Sequence, residues 1–145
     1  MIKNHNMKKG LFAFIMSAVV LIACSKGDSP APTPNPPTPT PEATIVFTVD
    51  PDPGTGIYAS LGASQSMTVN ISSTIPSAGV TLDVKTTKDS DGSTVSSSSV
   101  ASTTTKNTIS IDNLVSGVLC TTTVTVTSKS KADNNATKSF KIARK

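Results

Sequence analysis

From residue 43 onward, apolar side chains fall on every second position. Ile45, Phe47 and Val49 share one face, with Thr44, Val46 and Thr48 on the other. Met67, Val69 and Ile71 alternate with Ser66, Thr68 and Asn70, and Val80, Leu82 and Val84 with Thr81, Asp83 and Lys85. Ile109 and Ile111 repeat the pattern, Val118, Cys120, Thr122, Val124 and Val126 extend it over five inward positions, and Phe140 with Ile142 close it. A period of two is the signature of strands with one dry and one wet face, and nothing here sustains a period of 3.6. With a more polar run from Ser93 to Val100, about seven strands are predicted, separated by Gly, Pro, Asp and Asn turn signals. The pattern predicts an all-β fold, a single antiparallel sandwich over residues 43–145, about one domain in length.

The alternation is absent upstream of Ala43. Ser25 to Glu42 holds seven of the ten prolines and no large apolar residue. Such a segment buries no core and favours extended polyproline II, reaching about 50 Å at about 3.1 Å per residue. It reads as a spacer. Further upstream, Lys3, Lys8 and Lys9 precede the 14-residue apolar run Gly10–Ala23, with Ser17, Ala18 and Ala23 towards its end. Basic residues, a short apolar run and small residues make a signal peptide over residues 1–23, for which Met7 offers an alternative start; the run falls short of the about 20 residues that cross a bilayer.

The end of that run, Leu21-Ile22-Ala23-Cys24, resembles the cleavage motif of bacterial lipoproteins. The resemblance implies that Cys24 becomes the first residue and carries a thioether-linked diacylglycerol and an N-acyl chain such as palmitate. Two or three chains anchor stably, at about 0.8 kcal/mol per buried methylene. Ser25-Lys26-Gly27-Asp28 resembles the charged signals that follow the lipid cysteine in Bacteroidetes-type surface lipoproteins. The implied address is the cell envelope, at the outer membrane, with its surface and periplasmic faces both open.

Losing residues 1–23 lowers Lys+Arg from 13 to 10 against nine Asp+Glu, so the net charge falls to +1, and it discards His5, the sole histidine. The basic balance of the full chain therefore belongs mostly to the targeting segment. No basic stripe with interleaved aromatics remains, so the sequence gives no ground for nucleic-acid binding.

Leu114, Gly117, Val124 and Val126, followed by Phe140 and Ile142, resemble the last two strands of fibronectin type III, PKD-like and other immunoglobulin-like modules. In those families a leucine leads through a Gly-containing corner to a tyrosine and alternating valines. Here Cys120 stands where the corner tyrosine belongs, and there is no tryptophan. The resemblance implies an immunoglobulin-like sandwich with a smaller core and modest stability. Cys120, left without a partner once Cys24 is lipidated, has the inward parity of Val118 and Val124 and reads as a small buried hydrophobe.

Candidate chemistry is sparse. Without histidine there is no His-based acid–base pair or His-ligated metal, and no glycine-rich phosphate loop is present. Two carboxylate pairs, Asp50 with Asp52 and Asp89 with Asp91, sit in turn-forming sequence; as turns they need no ligand, and Asp89 and Asp91 are the weak candidates for a Ca²⁺ site. Phe47 and Phe140 fall on core faces, which leaves Tyr58 as the candidate ligand-contacting aromatic. No cofactor is expected. The sequence predicts a non-enzymatic binding, adaptor or spacer module, held on the membrane by Cys24, with a protein or glycan partner; the alternative is a self-associating, adhesin- or pilin-like subunit that pairs through the edge strand near Ser93–Val100.

Overall fold

The computed structural model describes residues 41–145. The expected signal peptide, Cys24 and the tether as far as Thr40 lie outside the described residues. The described chain is all-β, a two-sheet sandwich of eight strands: β1 (Phe47–Asp50), β2 (Ile57–Ser60), β3 (Gln65–Ile71), β4 (Val80–Lys88), β5 (Thr94–Ser102), β6 (Lys106–Ile111), β7 (Leu119–Ser128) and β8 (Asn135–Arg144). One sheet has the order β1-β3-β6, the other β2-β8-β7-β4-β5.

The alternation accounts for the packing. The buried side chains of β1, β3 and β6 (Phe47, Val49, Met67, Val69, Ile71, Ile109 and Ile111) meet those of the five-stranded sheet, among them Leu82, Val84, Val124, Val126, Phe140 and Ile142, in one core. The partners Thr81, Asp83 and Lys85 on β4, and Thr121, Thr123 and Thr125 on β7, face outward. Four buried positions are polar, Ser60, Thr86, Thr122 and Ser128; of these, Thr86 and Thr122 lie opposite each other on β4 and β7 and join their hydroxyls at 2.8 Å. Each hydroxyl satisfies the other, so the pair avoids the about 1–3 kcal/mol cost of a buried unpaired group.

The strands run between two ends. Ile45, Ile71, Val80, Ser102, Lys106, Ser128 and Asn135 mark what we call the lower end; Ser60, Gln65, Lys88, Thr94, Ile111, Leu119 and Arg144 mark the upper end. β7, at ten residues, spans the sandwich, about 33 Å at about 3.3 Å per residue.

The structure differs from the sequence reading in three places. The strands number eight, and the additional one, β2, pairs parallel to β8, so the sandwich is not wholly antiparallel. Ile57, Tyr58 and Ala59 are consecutive apolar residues, so no apolar–polar alternation marks β2 in the sequence although its burial alternates. Val118 lies just before β7, half-buried against the core, and Ser128 takes the fifth inward position. The Ser93–Val100 run is β5, an edge strand that extends to Ser102.

Candidate functional site

Asp89 and Asp91 lie in the β4–β5 turn at the upper end. Gly92, at a φ of 71°, allows the chain to reverse there, with its N–H donating to Lys88 O at 2.9 Å. Asp91 Oδ1 accepts the Ser93 N–H at 2.8 Å, an Asx turn that caps the loop. Asp89 faces the other way, onto the outer surface of the sheet. Its Oδ1 accepts the Thr121 hydroxyl at 2.6 Å, and Lys141 Nζ donates to its Oδ2 and, at 2.8 Å, to Thr121 Oγ1. Hydrogen bonding from Lys141 and Thr121 holds the Asp89 carboxyl below its ordinary range, and the Ser93 hydroxyl and N–H do the same for Asp91. The structure does not bring the two carboxylates onto one ligand: an ammonium already compensates Asp89, and a backbone turn uses Asp91. Asp50 and Asp52 are likewise separate, with Asp52 accepting the Gly54 N–H at 2.9 Å and lying 3.8 Å from Lys138 Nζ. Among the described residues, no three His, Cys, Asp or Glu side chains gather as a metal site.

Tyr58 does not stand as a platform. It lies opposite Ile142 on the inward face of β2 and packs, half-buried, against the edge of the core. What the upper end presents is aliphatic. Leu61, just after β2, is 84 % exposed, Ile57 on β2 is 55 % exposed and Val115 before β7 is 52 % exposed. Leu119, at the start of β7, also belongs to the exposed group, and the register aligns it in a row with Ala143 and Ala59 across three strands. These side chains escape a sequence reading because alternation assigns apolar residues to the core. Arg144 lies at the same end; its Nη1 reaches Leu114 O at 3.4 Å, while its Nε is buried without a partner.

The lower end is closed by Glu42, the last residue of the expected tether. Its carboxylate accepts the Ser128 hydroxyl at 2.9 Å, Asn134 Nδ2 at 3.1 Å and the Ser130 hydroxyl. Asn134 also donates to Ala43 O at 3.0 Å and accepts the Ile45 N–H at 3.1 Å. Hydrogen bonds from Ser130, Asn134 and Ser128 hold the Glu42 carboxyl below its ordinary value. An open cleft between Pro41–Ala43 and Thr74–Ser77 flanks this latch, but the only charged group there is already committed to the β7–β8 turn.

Cys120 is buried on the inner face of β7, with Sγ 3.9 Å from Val118 O. Burial, and then the charge of Asp89, push its thiol up from the ordinary value, so it stays protonated at neutral pH. On the outer face above it, hydroxyls bond across β7 and β8, Thr123 to Ser139 at 3.0 Å and Thr125 to Thr137 at 3.1 Å.

No protein-family model matches this chain, and no curated protein matches it in sequence. The chemistry of the two ends therefore carries the functional argument. The lower end carries a polar latch where the chain from residue 41 joins the sandwich, with Val46 exposed beside it, and the upper end carries most of the unburied aliphatic side chains.

Proposed function

We propose that this chain is a lipid-anchored, non-catalytic module of the cell envelope, an immunoglobulin-like sandwich held at the outer membrane through Cys24 that presents its upper end to a protein partner. The observation that carries the reading is the placement of Leu61, Ile57, Val115 and Leu119 at the end of the sandwich away from Glu42, where the chain coming from Cys24 joins the domain. Four exposed aliphatic side chains at the upper end, against Val46 at the lower, favour the upper end as the contact surface for protein. Sugar recognition rests more often on aromatic faces, and Tyr58 is turned towards the core. With Asp89 and Asp91 held by Lys141 and Ser93, neither is poised as an acid or base.

Two measurements test this reading on the full chain in its own cells. Cys24→Ser should move the protein from the membrane fraction to the soluble one; retention in the membrane fraction refutes the anchor. A photo-crosslinking residue at position 61 should give a discrete protein adduct that Leu119→Asp abolishes, while the same probe at position 73 of the lower end gives none. Equal labelling from both positions, or an adduct made of glycan, refutes the upper end as a protein-binding surface.

A further inference from the structure

The sandwich guards its strand edges unevenly. β1 is four residues long and ends in Asp50, β2 is four residues long, β6 begins with the charged Lys106, and the lower half of β8, which β2 leaves uncovered, carries Lys138 on its inward face beside Asp52. Short strands and charges are the ordinary means by which a sheet edge is kept from pairing with other chains. β5 has neither. It is nine residues long and contains no charge and no proline, and from Ser93 to Thr105 the chain carries no ionisable side chain. Among the described residues only β4 pairs with it, so within them the N–H and C=O groups of its other side are without strand partners.

One device does blunt this edge, and it sets the limits of what can pair. The register passes from Thr86↔Ser96 to Thr87↔Thr94, leaving Val95 as an extra, bulged residue. Below the bulge, Ser96–Ser102 runs in unbroken register with Val80–Thr86. Ser97, Ser99 and Ala101 of this stretch face outward and are exposed, while Ser96 and Ser98 face inward and are half-buried.

From this geometry we infer that β5 pairs antiparallel with β5 of a second copy of this chain, with Ser99 opposite Ser99. A two-fold axis normal to the sheet preserves inner and outer faces only if residues of like parity oppose each other. Centring on Ser99 satisfies that condition and matches the whole unbulged stretch: Ser96 faces Ser102, Ser97 faces Ala101 and Ser98 faces Val100. The opposed side chains are small and uncharged, so two identical strands meet without steric or electrostatic conflict. The occupant is a second copy rather than a foreign strand because strand addition takes its specificity from side-chain pockets, and the serines of β5 form none. The proline-rich segment before Glu42 is excluded as occupant, since proline has no N–H to donate to a ladder. The resulting sheet runs continuously through both copies and points their Glu42 ends in opposite directions. This inference does not depend on the anchor or on the upper-end partner.

The test uses the full chain with Ser99→Cys. Directly opposed antiparallel residues have Cα atoms about 4.5–5.5 Å apart, within the span of a disulfide. Under mild oxidation this variant should form a covalent dimer at least tenfold faster than Thr48→Cys, which places an exposed thiol on the edge strand β1 and carries the same native cysteines. Ser99→Lys, at an exposed position that the fold tolerates, should weaken self-association in sedimentation at least tenfold with an unchanged melting temperature. Dimerisation of the Ser99→Cys variant no faster than that of the Thr48→Cys variant, self-association unaltered by Ser99→Lys, or a disulfide adduct of the Ser99→Cys variant in cells with a protein other than this chain would each overturn the inference.

Discussion

The two ends of this sandwich are closed by different means. At the lower end one carboxylate, Glu42, ties Ser128, Ser130 and Asn134 together, and Asn134 in turn holds Ala43 and Ile45. At the upper end Leu114 is buried, with its N–H bonded to Ala63 O at 2.8 Å, while Leu61 stands almost wholly in solvent and Arg144 keeps an unpartnered Nε. Polar closure commits the charged group of that end to the fold. Aliphatic closure that stops at Leu114 leaves a surface unfinished. The contrast is why we propose binding at the upper end, although both ends sit on the same strands.

The sharpest way to break this comparison is to truncate one leucine from each side of the boundary. Leu114→Ala removes a buried side chain and should cost about 2–5 kcal/mol in denaturant unfolding, whereas Leu61→Ala should stay within about 0.5 kcal/mol. Similar costs for the two would mean that Leu61 belongs to the core and that the upper end is closed after all.

A smaller effect is expected just below that boundary, at Cys120. Cys120→Ala should cost on the order of 1 kcal/mol through lost packing. In the native chain the thiol should react with alkylating reagents only after denaturant is added, since it is buried and its ionisation is suppressed. Rapid labelling of the folded chain would show that the upper end opens to solvent as far as β7.

The smallest effect is expected at the lower end and is read by pH. Glu42 has a folded pKa below its ordinary value of 4.5. On acidification the unfolded chain therefore takes up that proton first. The latch contributes its stability above about pH 4.5 and loses it as the pH falls through the folded value. Amide protection at Ile45 and Lys131 should fall over that range, and Glu42→Gln should flatten the dependence there while leaving the acid response at Asp89 in place. Protection at Ile45 that is insensitive both to pH and to Glu42→Gln would mean that Asn134 holds the chain without the carboxylate.

Alternation along the chain locates six of the eight strands and the polar Ser93–Val100 run a seventh, and the inward set from Ile45 to Ile142, Val118 excepted, belongs to the interior that forms. Cys120 is legible for the same reason, since its parity matches Val124 and Val126. β2 is not, because its burial follows from lying against β8, a partner more than 80 residues away, and not from its own pattern. Glu42 escapes for a similar reason: its partners are 86 to 92 residues downstream, and in sequence it is only the last residue after a run of prolines. Asp89 stands out in the sequence because of its neighbour Asp91, but its partners are Thr121 and Lys141 on other strands. Local pattern reports which face a residue occupies; it carries no information about which residues meet across the sheet.

The segment that follows Glu42 places β1 in one sheet and β2 in the other. A pull between Glu42 and the upper end runs along the strands, crosswise to the ladder bonds that join β1 to β3 and β2 to β8. Bonds loaded in that direction share the load along one strand pair, and because β1 precedes β2 in the chain, the β1–β3 ladder is the first that tension entering at Glu42 meets. That four-residue ladder, Phe47–Asp50 against Thr68–Ile71, is thus the first strand pair by which the sandwich meets a pull at its N-terminal end.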